Sequence, residues 1–141
     1  MKASELRIGN FVNGKKIQEG RFVDYVLTNP QFLEVDAILQ DSISCKGEID
    51  NPIYRFTEIE PISLTKEWFF KLGFKKISNT QFCIDVNDNK KISLVLHMNS
   101  GNWTFPYFHE VNTLTSFKNV HELQNLYFAL TGTELTIKEL V

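Results

Sequence analysis

At 141 residues, 43% of them apolar and 23% charged, the chain has the size of one ordinary domain and enough apolar surface to build a core, which excludes a disordered polypeptide. Its 15 Lys and Arg against 17 Asp and Glu give a net charge of −2, without the basic excess that phosphate contacts require, so nucleic acid is a disfavoured partner. No segment approaches the roughly 18 apolar residues of a membrane span, so no membrane partner is expected.

The first sixty residues read as β structure. Leu6, Ile8, Phe11 and Val12, with a slip at Gly9-Asn10, suggest a strand ending at the Asn13-Gly14 turn signal. Further strands are expected over Arg21 to Thr28, Phe32 to Leu39, Ile43 to Cys45, and from Tyr54 to Pro61, where Tyr54, Phe56 and Glu58 alternate with their neighbours. Lys46 to Pro52 is a polar loop punctuated by Gly47 and Asn51-Pro52. Short strands at this spacing imply a small curled sheet or partial barrel.

A helix follows with defined ends. Thr65 is its expected cap, Leu64 and Phe69 its hydrophobic staple, Trp68, Phe69 and Leu72 its apolar face, and Gly73 its left-handed exit. Alternation then returns: Phe82, Ile84 and Val86 on one face, Ile92, Leu94, Leu96 and Met98 repeating it, and Trp103, Phe105 and Tyr107 as a third set. Asn87 to Lys90 and Asn99 to Gly101 are the connecting turns. Pro106 cannot donate to a ladder, which places the Trp103 strand at a sheet edge. The pattern predicts an antiparallel meander of three or four strands. A second helix spans about Val120 to Leu130, with Asn119 as cap, Glu122 completing a capping box, and Val120, Leu123, Leu126, Tyr127 and Leu130 as its stripe. Leu135 to Val141 form a last short strand or tail. The expected class is α+β: one domain over 1–141, or a β-rich part over 1–61 followed by an α-β-β-β-α unit over 62–141.

Three phrases stand together: Leu6-Arg7-Ile8-Gly9-Asn10-Phe11-Val12 at the start, Glu60-Pro61-Ile62-Ser63-Leu64-Thr65-Lys66-Glu67 before a helix that ends Lys71-Leu72-Gly73-Phe74, and Val120 to Gly132, read as VHELQNLYFALTG. The combination resembles a family of small uncharacterised proteins encoded in prophages and other mobile elements of Bacteroides-type gut bacteria. The likeness covers both ends and the central helix, while residues 13–53 and 79–112 match in general character only. It implies a genetic setting and carries no activity or catalytic residue.

The motifs that would announce an enzyme are missing from the sequence. His97, His109 and His121 recur at equal intervals, and His121-Glu122 begins a zinc-peptidase pattern, but Asn125 stands where its second histidine belongs. Asp85, Asn87, Asp88 and Asn89 hint at a calcium loop, yet Lys90 takes the position that demands glycine. Cys45 and Cys83 stand apart with no family signature, there is no phosphate-binding glycine loop and no Gly-x-Ser-x-Gly elbow, and Glu58 and Glu60 share a strand face that reads as solvent-facing. No metal and no cofactor are therefore expected. With no apolar stretch behind a basic N-terminus and no paired cysteines, the expected location is the cytoplasm. The aromatic stretch Trp103, Phe105, Tyr107, Phe108 and His109 is weighed between two roles: rings that cover the helices, or an edge strand on which a partner docks, with Trp103, Tyr107, Phe108 and His109 as the contact residues. The functional expectation is a non-enzymatic accessory protein of a prophage or mobile element that binds another protein. The alternatives are an enzyme using His97 or His109 beside a carboxylate, or a phage structural or assembly component. Nothing in the sequence sets the oligomeric state.

Overall fold

The computed structural model of the chain describes residues 1–14, 32–47, 51–85, 93–99, 102–105 and 115–138. The class is α+β. Two compact units form: Met1–Ile62 with Asn119–Asn125, and Ser63–Lys118 with Leu126–Val141. The first break thus falls one residue beyond the 61/62 division suggested by the sequence, but a segment from late in the chain returns to the first unit.

The first unit is an open antiparallel sheet of β1 (Phe11–Gly14), β2 (Leu33–Ile38), β3 (Ser42–Cys45), β4 (Ile53–Arg55) and β5 (Ile59–Glu60), in the order β4-β3-β2-β1-β5. Alternation explains it. Ile43 and Cys45 are fully buried while Ser42 before them and Ser44 between them are half-buried, and Val35 lies opposite Cys45 with no exposed surface. Leu6, Val12 and Ile59 complete this core, with Met1, Leu33, Ile38, Tyr54 and Phe56 packed around it. Leu6 and Ile8 do not extend β1 as expected. Residues 7–10 form a turn instead, with Gly9 at φ +94°, and Ile8 is exposed. After Arg55 the strand stops in a 3-10 turn, Phe56–Glu58, whose Glu58 carboxylate accepts the Arg55 N–H at 3.2 Å. The expected strand over 21–28 lies outside the described residues.

The second unit begins with helix α1 (Lys66–Lys71) and continues through β6 (Lys75–Ser78), β7 (Gln81–Asp85), β8 (Ser93–Asn99), β9 (Asn102–Phe105) and β10 (Thr115–Phe117). The sheet order β10-β9-β8-β7-β6 is an uninterrupted meander, so five strands stand where the sequence suggested three or four. Lys75–Ser78 lacks an apolar alternation and Thr115–Phe117 is only three residues long, which is why neither was legible as a strand. At the start of the final helix, α2 (Val120–Thr131), the Glu122 carboxylate accepts the Asn119 N–H at 3.0 Å, which is the half of the expected capping box that Glu122 supplies. Its residues up to Asn125 group with the first unit and those from Leu126 with the second.

The exit of α1 shows how sequence becomes geometry. Gly73 adopts φ +88°, the Gly73 N–H bonds the Phe70 carbonyl at 3.1 Å, and the Phe74 N–H reaches back to the Phe69 carbonyl at 2.9 Å. This is a Schellman ending, completed by the contact it favours: the Phe69 and Phe74 rings meet edge to face at 5.2 Å. At the entry, the Thr65 side chain makes no capping bond, contrary to expectation, while Leu64 and Phe69, the two residues of the expected staple, are both buried. Phe69 is also the hub of the core. It stacks on Phe82 at 4.6 Å and meets Trp103 edge to face at 4.5 Å, while Phe82 meets Trp103 at 5.6 Å. Each such pair adds roughly 0.5–1.5 kcal/mol beyond its burial.

Candidate functional site

Two places in the structure concentrate polar or exposed groups in ways that packing alone does not require. The first lies in the first unit, where, among the described residues, β5 pairs with Asn13 and Gly14 of β1 and not with the preceding stretch of that edge. The side chain of Gln124 fills the gap. Its Oε1 accepts the Phe11 N–H at 2.8 Å and its Nε2 donates to the Gly9 carbonyl at 2.9 Å, so a side-chain amide pairs with the main chain as a neighbouring strand would. Asn10 joins it: Oδ1 accepts the Arg7 N–H at 2.7 Å, and Nδ2 donates to Asn125 Oδ1 at 3.0 Å. Asn125 Nδ2 in turn donates to the Glu5 carbonyl at 3.0 Å. Asn10 and Gln124 have no exposed surface at all. Satisfied polar groups in a dry site fix one arrangement and offer no free atom to a substrate, so this clasp is a joint.

Beside it, His121 is buried in the first turn of α2, and its Nδ1 has no hydrogen-bond partner among the described residues. Burial holds its pKa below the ordinary imidazole value; Glu122 and Glu5 pull the other way and the N-terminal ammonium adds to the depression. A neutral, enclosed imidazole of this kind is poorly placed to meet a substrate.

The second place is the edge of the second sheet. Among the described residues strand β6 pairs only with β7, and all four of its residues are exposed. The register shifts between Lys76 and Ser78, so Ile77 sits at a bulge, 53% exposed. Phe70 of α1 stands next to this edge: half its surface is open, and its ring lies 5.6 Å from that of Phe82, the cross-strand partner of Lys76. Lys66 is four residues before Phe70 and so shares its side of the helix. Lys66, Lys71, Lys75 and Lys76 are all exposed, and among the described residues none is in an ion pair; Lys71 lies over the Trp68 ring at 5.0 Å. An apolar ring, a bulged strand edge and four lysines outside any close ion pair among the described residues therefore share one short stretch of chain, with Glu67 as its one carboxylate.

No family model, curated protein or solved structure matches the chain. The site is accordingly read from its own chemistry.

The structure moves the aromatic candidate. Trp103 lies on β9, which is flanked by β8 through Met98 and by β10 through Phe117, and its ring is 2% exposed against Phe69 and Phe82. The Trp103 strand is therefore not at the edge expected from Pro106, and the ring of Trp103 is not available to a partner; the reason is the β10 strand, which covers that side. Tyr107, Phe108 and His109 lie outside the described residues, as do Asn87, Asp88, Asn89 and Lys90. His97 is placed on β8 opposite Gln81 and Thr104. Cys45 is fully buried, and burial, helped by Asp36, pushes its thiol up to about 12, which keeps it protonated and unreactive at neutral pH. Among the described residues no three His, Cys, Asp or Glu side chains gather as a metal would require, and no helix is long and apolar enough to cross a membrane. What the sequence reading missed was β6. Its signal is the run Lys75-Lys76-Ile77-Ser78, in which one large apolar residue stands among polar ones immediately after a helix exit.

Proposed function

We propose that this is a non-enzymatic accessory protein of a prophage or mobile element that acts by binding another protein, with β6 and α1 as the binding surface. The observation that carries it is an open sheet edge with a half-exposed phenylalanine beside it. Edge strands expose unpaired N–H and C=O groups that an extended segment can complete, and adjacent apolar side chains supply the affinity that hydrogen bonds alone do not. The genetic setting rests on the resemblance in residues 60–67 and 71–74 and in the two end phrases, 6–12 and 120–132. Those two phrases hold one another through the Gln124 and Asn125 side chains, which supports reading them as one inherited structural element.

Affinity capture from a lysate of host bacteria tests the reading, comparing the wild type with a Phe70→Ser/Ile77→Ser variant shown by circular dichroism to be folded. The reading expects a protein retained by the wild type and lost from the variant. Equal retention by both removes this surface, and no retention by either counts against a binding module.

A further inference from the structure

The chemistry of the same surface is specific enough to describe its partner. We infer that β6 accepts an extended, acidic peptide segment as a sixth strand, with apolar residues of that segment packing on Phe70; this rests on the protein-binding reading above.

Antiparallel register places Lys76 across from Phe82, so both project on one face of the sheet, the face on which α1 lies and on which Phe70 touches Phe82. A strand added outside β6 would continue that face. Side chains opposite Lys76 would meet Phe70 and, one turn back along the helix, Lys66. On the other face the incoming strand would lie against Lys75, the partner of Cys83. Every charged group that this strand can reach along β6 is a lysine, and none of them has an ion-pair partner among the described residues.

Charge also decides against the most obvious alternative occupant. A second copy joined edge to edge would bring Lys75 and Lys76 of each chain together, and like charges placed opposite one another destabilise a sheet. Lysines on an edge strand are a known guard against self-association. The same residues that repel another copy attract carboxylates, so attraction and exclusion come from one pair of side chains. The exposed bulge at Ile77 limits the pairing to a short segment, because regular hydrogen bonding cannot run through it.

Three labelled nine-residue peptides alternating valine with glutamate, serine or lysine provide the test, using the full chain and reading both fluorescence anisotropy and backbone amide shifts. The glutamate peptide should bind roughly threefold to tenfold tighter than the serine peptide, since each cross-strand ion pair contributes modestly. Its advantage should shrink with added salt, and shifts should centre on residues 66–78. In a Lys75→Glu/Lys76→Glu variant, whose changes fall on exposed positions, the preference should invert toward the lysine peptide. If the serine or lysine peptide shifts residues 75–78 as strongly as the glutamate peptide, or the variant keeps the wild-type preference, the acidic partner is wrong while strand addition stands. If no peptide shifts these residues, strand addition fails and the binding surface proposed above fails with it.

Discussion

Replacing Gln124 by methionine keeps the volume of the side chain and removes its hydrogen bonds to Phe11 and Gly9. The Phe11 N–H and the Gly9 carbonyl, bonded now at 2.8 and 2.9 Å, would be left buried beside an apolar group. Each unsatisfied buried group costs about 1–3 kcal/mol, so two cost about 4 kcal/mol. The amide of Gln124 need no longer be desolvated, which returns about 1 kcal/mol. The expected loss is therefore about 3 kcal/mol, concentrated in the first unit. Amide hydrogen exchange reads it locally: the Phe11 amide should lose about two orders of magnitude of protection, while Phe82 and Trp103 in the second unit change far less. A Gln124→Glu variant sharpens the test. Its carboxylate has only acceptors and would face the Gly9 carbonyl at neutral pH, whereas the protonated acid regains a donor. The folded state would thus hold its proton more tightly than the unfolded chain, whose glutamate titrates near about 4.3, and the defect should lessen as pH falls. A Gln124→Met loss below about 1 kcal/mol, or an undisturbed Phe11 amide, would refute the view that the side chain acts as a surrogate strand.

Other expectations follow from the same residues. Because burial depresses the His121 pKa, the unfolded chain takes up that proton first; the first unit should weaken as pH drops below about 6.5, and a His121→Gln variant should flatten this part of the stability profile measured by exchange at Phe11. With its thiol pushed up to about 12, Cys45 should resist iodoacetamide at pH near 8 in the folded protein and react once denatured; prompt labelling of the native chain would contradict its burial. Phe69→Ala should cost about 3–5 kcal/mol and shift the emission of Trp103, whose ring it touches at 4.5 Å, since it opens a cavity among the rings of Phe74, Phe82 and Trp103.

Where one element's own residues determine its form, the sequence was enough. Gly73 after an apolar helical face predicted the left-handed exit, and alternation predicted β2, β3 and the β7 to β9 meander with its core on the Phe82 and Trp103 side. Where form depends on distant partners, it was not. The edge position of Trp103 was inferred from Pro106, a local rule, and β10 overrode it from ten or more residues away. Ile8 and Leu130 fitted their periodic patterns yet are exposed, because periodicity marks a face without saying whether anything covers it. The clasp was hardest to see. Gln124 falls four residues after Val120, on the apolar side of α2, and a polar residue there is a sign of a buried bond; its donor and acceptor lie 113 and 115 positions away, beyond any pattern in the helix itself.

That separation has a consequence during synthesis. A chain emerging at about 5–20 residues per second presents the strands of the first sheet well before the helix that finishes it. Between the appearance of residue 62 and that of Gln124, several seconds pass in which the Phe11 amide and the Gly9 carbonyl lack their partner. The meander from β6 to β10, built from consecutive hairpins, pairs as it is made. The part of the protein translated first thus waits for residues 119–125, and the nascent chain carries an unfinished β edge through the whole synthesis of the meander.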